Sequence, residues 1–425
     1  MAIDTLRLAI AHLGRRGEGV AHHEGVPVYV PYALPGETVL VERDGDRARI
    51  LETLEPRPDR LEPICPYYGT CGGCAVQTLP MPDYAAWKRD LVVTALAKAG
   101  LDVAVAPMRD AHGAGRRRAT FHSRLEAPRS PPRVGFMQAR AHAIVDLAFC
   151  PILSPGMAEA LLAARRVAAI LSQSGKPLDL VVTATDTGLD LDLRGLGPAN
   201  EEQRRALVGA AAALGLARLA NHGEVLVEAR APTLRMGRAT LAIPPGAFLQ
   251  ATAAGEETLA ALVLAGVGGA KRIADLFCGV GTFALRLGEI AALTAIDSER
   301  AAIAALVRAA AGASGLRQPR TEVRDLFKRP LAAAELTGFD AVVFDPPRAG
   351  AAAQAAELAK STVPRIVAVS CDPGTFARDA ATLVAGGYRV ESVVPVDQFR
   401  YSAHVELVAV FTRPVAAVKK RRLLS

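Results

Sequence analysis

Arg272-Ile273-Ala274-Asp275-Leu276-Phe277-Cys278-Gly279-Val280-Gly281-Thr282-Phe283 decides the fold. The run to Leu276 reads as a buried strand, and the residues after Phe283 read as a helix. The glycines between them let backbone approach a ligand without a Cβ clash. Asp297 closes the next strand, Leu293-Thr294-Ala295-Ile296-Asp297, 18 residues beyond Gly279. A carboxylate there can accept hydrogen bonds from both hydroxyls of a ribose. Further strands, Ala341-Val342-Val343-Phe344-Asp345 and Arg365-Ile366-Val367-Ala368-Val369, alternate with Ala-rich helical stretches. This order predicts an α/β fold with a doubly wound parallel sheet. Ligands of such sheets sit at the carboxyl ends of the strands. Asp297, Asp345 and Ser370-Cys371 all stand at those ends, so one cleft can hold them.

The glycine turn does not choose its cofactor. A dinucleotide and S-adenosyl-methionine both carry adenosine, and Ala284 formally completes the dinucleotide fingerprint. Phe344-Asp345-Pro346-Pro347-Arg348 tilts the choice toward the methyl donor. Two prolines fix an extended corner beside the cofactor, a feature absent from the dinucleotide fingerprint. Arg348 stands where enzymes methylating exocyclic amines place an aromatic residue, which argues against that reaction.

Cys371, at a strand end in Ser370-Cys371-Asp372-Pro373, is a candidate nucleophile. Glu406, closing Gln398-Phe399-Arg400-Tyr401-Ser402-Ala403-His404-Val405-Glu406, is a candidate general base. A thiolate, a carboxylate and a methyl sulfonium suggest methylation of uracil C5. That carbon is too weak a nucleophile unaided. Adding thiolate at C6 gives an enolate with carbanion character at C5, which takes the methyl group. A base then removes the C5 proton and the thiolate leaves. The target base must be outside any duplex stack.

Upstream, residues 1–57 hold short alternating runs such as Val26-Pro27-Val28-Tyr29-Val30 and Thr38-Val39-Leu40-Val41, with a turn at Asp44-Gly45. They predict a small β-barrel. Residues 83–100 read as a helix ended by Gly100. Residues 101–247 mix strands (Val181–Thr183, Leu189–Leu193) with helices (156–171, 200–214). The six cysteines are too few for a disulfide framework, and the tight thiol cluster of Cys65, Cys71 and Cys74, with Cys150 alone before Pro151, more often binds metal. Spacing leaves iron–sulfur and four-thiolate zinc open.

The 425 residues are 51% apolar and 22% charged, which excludes a disordered, collagen-like or coiled-coil chain. No apolar run reaches the roughly 18 residues of a membrane span. Asp4 and Arg7 interrupt any secretory h-region, so the cytoplasm is the expected compartment. A net charge of +7 permits nucleic acid without demanding it. Residues 101–150 carry eight Arg against four acids, and Lys419-Lys420-Arg421-Arg422 adds a basic tail. Residues 1–60, with eight Arg and ten acids, are slightly acidic.

Five pieces together resemble the RNA uracil-C5 methyltransferase family: Phe248-Leu249-Gln250, Asp275–Phe283, Asp345–Arg348, Ser370–Pro373 with Arg378-Asp379, and His404-Val405-Glu406. The resemblance implies a Rossmann-like domain over 248–425, Cys371 as C6 nucleophile and Glu406 as C5-proton base. It implies that Gln250, Phe277, Gly279, Thr282, Asp297, Asp325 and Asp345 border S-adenosyl-methionine. Residues 1–57 resemble the OB-like TRAM barrel of part of this family. Cys65, Cys71, Cys74 and Cys150 resemble members holding a [4Fe–4S] cluster, within a central α/β region over 58–247. The helix at 83–100 is expected to pack on the catalytic domain. Family members acting on tRNA typically lack barrel and cysteines, so large-subunit rRNA is the expected substrate, and a monomer is expected. Arg116-Arg117-Arg118 are expected to contact RNA phosphates or splayed bases. Thr252, Thr282 and Asp372 depart from the family's usual asparagines. The competing classes are the same chemistry on tRNA, a nicotinamide oxidoreductase, and an inactive RNA-binding assembly factor.

Overall fold

A computed structural model of the chain describes residues 4–125, 130–172 and 175–413. The basic tail 419–422 and Arg129 lie outside the described residues. Residues 4–55 form a six-stranded sheet from Asp4–Ala9 to Arg47–Glu55, around a core of Leu8, Val28, Val30, Val39 and Val41. Ala11 N donates to Val20 O at 2.8 Å, drawing the first strand's extension onto the third and curling the sheet into a barrel.

A seven-stranded sheet follows, mostly antiparallel, with Leu178–Thr185 and Gly188–Arg194 at its centre. Phe121, Leu180 and Leu191 pack there against Ala164 and Val167 of helix Ala160–Ile170. Helix Glu201–Ala213 begins at a capping box, with Asn200 Oδ1 accepting Gln203 N at 2.8 Å.

The eight-stranded sheet carries the predicted parallel strands. Its order is Arg320–Val323, Ala292–Asp297, Arg272–Leu276, Ala341–Phe344, Arg365–Ser370, Glu406–Thr412, Arg389–Asp397, Arg109–Asp110. The first five strands are parallel, and the chain leaves Arg272–Leu276 in one direction and Ala341–Phe344 in the other. A crevice opens at that reversal. Glu406–Thr412 is antiparallel to both its neighbours, a hairpin the βαβα pattern does not reveal. The helix after the glycine turn is a single turn, Ala284–Leu287. Gly281 has φ +103°, and a Cβ on it would lie 2.6 Å from Leu306 Cδ1.

The core around this sheet draws on earlier chain. Val92, Leu96 and Val105 pack with Leu276, Phe344 and Leu407 on one side. Leu234, Met236 and Leu241, from the hairpin Thr233–Met236/Ala239–Ala242, pack with Ile273 and Leu285 on the other. Helix Met81–Lys98 lies against this sheet, and its Trp87 Nε1 donates to Gly14 O at 3.1 Å, tying it to the barrel. No helix among the described residues is long and apolar enough to cross a membrane.

Two helical glycines separate propensity from packing. Gly209 is exposed with open space where a Cβ would stand. Gly255, in helix Ala253–Val267, would put a Cβ 2.6 Å from Gln398 Oε1. Gly209→Ala is expected to stabilise the chain by about 0.5–1 kcal/mol. Gly255→Ala is expected to destabilise it by about 1–3 kcal/mol through overpacking. Denaturant midpoints read both signs.

Candidate active site

Strand register brings the two candidate reacting groups together. Val369 pairs with Val408 and Ser370 with Leu407, so one step further Cys371 stands across from Glu406. Cys371 is partly exposed in a long groove, whereas Glu406 is buried. Burial, with Glu406 and Asp345 nearby, pushes the Cys371 thiol up to about 12, and Arg348 opposes this. Burial, with Asp345, raises Glu406 to about 8, and a hydrogen bond from Gln398, Arg348 and Lys88 oppose it.

Asp372 has its own task. It caps helix Pro373–Ala385, its Oδ1 accepting Gly374 N at 2.9 Å and Thr375 N at 3.0 Å. Its charge is thereby matched to the positive end of a helix, and Cys371 precedes the same end, which favours thiolate. Thr252 is likewise an N-cap, its Oγ1 accepting Gly255 N at 2.8 Å and donating to Ala111 O at 2.6 Å.

The predicted cofactor residues gather at the switch point. Asp297 Oδ2 accepts Gly279 N and Oδ1 accepts Glu299 N, each at 2.8 Å. Each oxygen keeps a further lone pair, enough for a ribose. Phe277 holds a strained φ of +60° with its ring 5.5 Å from that of Phe327. Asp325 orders the Phe327 loop, its Oδ1 accepting Phe327 N at 3.0 Å. Thr282 is buried, and its carbonyl accepts Arg286 Nη1 at 2.8 Å. Gln250 Nε2 lies 3.5 Å from Asp345 Oδ2. Burial raises Asp345 to about 7.

Two further groups were not singled out by the sequence. Gln398 is fully buried, donating to Gln250 Oε1 at 2.6 Å and Glu406 Oε1 at 3.2 Å while accepting Ala251 N at 2.7 Å. Asp275 is fully buried, and burial with Asp345 and Asp297 pushes its carboxyl well above the usual range, opposed only by the Ala284 backbone. Carboxyls packed this closely, with no lysine or arginine bonded to Asp275, Asp345 or Glu406 among the described residues, suit a cationic ligand.

Cys65, Cys71, Cys74 and Cys150 all line one cavity, together with Gln77 and Arg116. Among the described residues no group of three or more His, Cys, Asp or Glu side chains is arranged to hold a metal ion. The iron–sulfur expectation is thus not shown by the thiol positions. The donor set still fits such a group. Burial pushes the Cys74 thiol up to about 12, a hydrogen bond with Gln77 opposes this, and Cys150, Cys71 and Cys65 lie close enough to add to the rise.

Arg117 is a correction to the expected RNA contact of the arginine run, while Arg116 and Arg118 are half-buried. Arg117 is buried, its Nε donating to Gln250 O at 3.2 Å and its Nη2 paired with Glu256. Arg118 donates to Ala247 O. Arg116 lies over the Phe399 ring at 5.7 Å. These guanidiniums secure the Gln250 segment and the cysteine cavity from inside. The basic side chains along the groove are others, among them Arg15, Arg16, Arg47, Arg348 and Arg378.

The profile of the family described as tRNA (uracil-5-)-methyltransferase matches residues 242–413. A Brucella suis protein described as an uncharacterized RNA methyltransferase is 48% identical, covering 96% of this chain and 98% of its own. The 23S rRNA (uracil(1939)-C(5))-methyltransferase RlmD of Pectobacterium atrosepticum is 32% identical over 96% of this chain and 93% of its own. The chain belongs to the RNA uracil-C5 methyltransferase family. It is an RNA methyltransferase that uses S-adenosyl-methionine. The fold agrees with the structure of Pyrococcus abyssi tRNA (uracil-54, C5)-methyltransferase in complex with S-adenosyl-L-homocysteine. Its TM-score is 0.74 at 23% identity, over 96% of this chain and 99% of that one. The nicotinamide reading is set aside by the family.

The raised carboxyls give a sign. A sulfonium cation favours the ionised forms of Asp345 and Glu406, at about 7 and about 8 without it. S-adenosyl-methionine is expected to release protons on binding near neutral pH, and to bind more tightly as pH rises through that range. S-adenosyl-homocysteine, lacking the charge, is expected to do neither. Calorimetry in two buffers of different ionisation enthalpy measures the difference.

Proposed function

We propose that this enzyme methylates C5 of a uridine in large-subunit ribosomal RNA through a covalent adduct between Cys371 and uracil C6. The observation that carries the mechanism is the register that sets Cys371 opposite Glu406. Bound S-adenosyl-methionine supplies an electrophilic methyl group. Gln250, Phe277, Gly279, Thr282, Asp297, Asp325 and Asp345 border its site. Cys371 thiolate adds at C6, and the electron pair displaced toward the ring makes C5 nucleophilic. After methyl transfer, Glu406 accepts the C5 proton. The pair from that C–H bond restores the C5–C6 double bond, and the pair of the C6–S bond returns to Cys371.

The ribosomal target is supported by the activity named for the Pectobacterium relative. The presence of a barrel does not add to it. The Pyrococcus tRNA enzyme shares this architecture over 96% of the chain, so tRNA is the second reading. We assign RNA grip to 1–57 and the central region 58–247, and methyl transfer to 248–425, in a monomer acting in the cytoplasm. The groove from Cys371 past Arg348 to Arg15 and Arg16 gives a single strand a path on which basic side chains outnumber the acidic ones.

Nucleoside mass spectrometry on rRNA and tRNA from a deletion strain and its parent tests the target. Loss of 5-methyluridine from rRNA alone is expected. Loss from tRNA alone would move the target. For the mechanism, 5-fluorouridine-containing RNA is expected to trap a denaturant-stable adduct. Cys371→Ala should abolish it and lower kcat by at least about 10³-fold. An active Cys371→Ala enzyme would overturn the covalent route, and an inert wild-type chain would favour the assembly-factor reading.

Cys65, Cys71, Cys74 and Cys150 hold a [4Fe–4S] cluster in this reading, with Gln77 as a buried amide beside Cys74. Anaerobically purified protein should contain iron and inorganic sulfide in equal amounts and absorb broadly in the visible. Cys150→Ser should remove most of both. Zinc without sulfide would replace the cluster by a four-thiolate zinc site.

A further inference from the structure

We propose that Lys88, on helix Met81–Lys98, is a positioning residue for proton removal from C5. Its ammonium is completely buried. Lys88 Nζ donates to Asp397 Oδ1 at 2.9 Å, to His404 O, and, at the limit of 3.5 Å, to Phe399 O. These acceptors lie at the two ends of the 398–405 turn, between strands Arg389–Asp397 and Glu406–Thr412. Tyr84, one helical turn earlier, completes the clamp. Its hydroxyl donates to Asp397 Oδ2 at 2.5 Å and accepts Tyr401 N at 2.9 Å. Asp397 Oδ1 also accepts Phe399 N at 3.0 Å.

The turn ends at Glu406, the first residue of the next strand. A helix about 309 positions away in sequence therefore fixes where the carboxyl of Glu406 begins. Proton transfer depends on such placement, and an error near 1 Å can cost about 10²-fold. The charged groups facing Glu406 are Asp345 and Arg348 from the proline corner, Cys371 from the adjoining strand end and Lys88 from the helix. Lys88 makes no hydrogen bond to Glu406 and acts through the turn.

The inference rests on the reading of Glu406 as the C5-proton base. In the step concerned, the C5–H bond breaks with its proton going to Glu406. Its electron pair forms the C5–C6 double bond as the C6–S pair returns to sulfur. When that step lags behind methyl transfer, a methylated Cys371–RNA adduct accumulates on ordinary uridine.

The test uses the full chain, rRNA from a deletion strain and S-adenosyl-methionine labelled in its methyl group. Three variants are compared with wild type: Tyr84→Phe, the paired Lys88→Met/Asp397→Asn, and Glu406→Gln. The paired change avoids leaving a buried charge alone. Tyr84→Phe keeps the ring and removes only the hydroxyl.

Glu406→Gln is expected to trap label in a denaturant-stable protein–RNA adduct. The paired variant is expected to accumulate the same adduct with kcat down at least tenfold, and Tyr84→Phe with kcat down two- to fivefold. KM for S-adenosyl-methionine and RNA affinity should stay within twofold. Folded Tyr84→Phe with wild-type kcat and no adduct would overturn the proposal. So would a fall in kcat without adduct in either variant, which marks a merely structural role. Absence of adduct in Glu406→Gln, with Cys371→Ala inactive, would remove the base assignment itself and is distinguishable from a failure at Lys88.

Discussion

Crowding of carboxyls at the switch point is the constraint on which the catalytic site turns. Asp275, Asp345 and Glu406 are each raised by burial, and Asp345 adds to the rise at the other two. Like charges in a low-dielectric site do not ionise together. Raised in this way, Asp345 and Glu406 are only partly ionised near neutral pH, and the Cys371 thiol is held back from ionising. A sulfonium ion changes that balance, because it is a fixed cation placed where the anions are unsettled. In the proposed reaction the methyl donor contributes electrostatics only until its methyl group leaves: while bound as the sulfonium it favours ionised Asp345 and Glu406, and Glu406 then accepts the C5 proton beside the neutral thioether. Asp372 would be a liability beside Cys371 but for its capping bonds to Gly374 and Thr375.

Such a site tolerates little displacement, and the chain holds it from several directions. Arg117 and Arg286 both pair with Glu256 on helix Ala253–Val267, and Arg117 also holds the Gln250 carbonyl. Gln398 joins the Gln250 segment to Glu406. The Lys88–Asp397 pair is buried on both sides. Removing one partner of such a pair typically costs about 3–5 kcal/mol, while replacing both is often tolerated. The pair is therefore weak evidence for stability and stronger evidence for a required geometry.

The strand ends were legible in sequence because parallel strands are short apolar runs and the chemistry sits just after them. Asp297, Asp345 and Cys371 all follow that rule. The antiparallel hairpin was not, since an apolar run carries no direction. Arg117 misled because a basic run looks alike on a surface and inside. Only the carbonyls of Ala247 and Gln250, more than 120 positions away, show that two of its members face inward. Lys88 left a signal. Tyr84, Lys88, Val92 and Leu96 recur every fourth residue and are all buried. A lysine in an apolar helical stripe calls for an acid, but nothing local says that the acid is Asp397.

The same turn explains how a cysteine-bearing segment can matter to a reaction that moves no single electrons. Methyl transfer shifts electron pairs between sulfur, carbon and oxygen, so a cluster has no redox step to perform. Ala75 N and Val76 N, directly after Cys74, both donate to Tyr401 O, at 2.7 and 3.3 Å. Arg116 at the cysteine cavity lies over Phe399, and Phe399 packs edge-on at 5.7 Å against His404. His404 Nδ1 is in turn 2.9 Å from Arg348 Nη2, beside the nucleophile. The 398–405 turn is therefore clamped by a buried ammonium on one side and by the cysteine segment on the other. Thiols held by a shared metal group would give that second side the rigidity that an irregular, glycine-rich segment cannot supply by itself. In the proposed reaction the role that fits this geometry is mechanical: cysteines held by a shared metal group would fix the backbone of 74–76, whose Ala75 and Val76 amides hold the Tyr401 carbonyl, and the turn would carry Glu406 to the uracil.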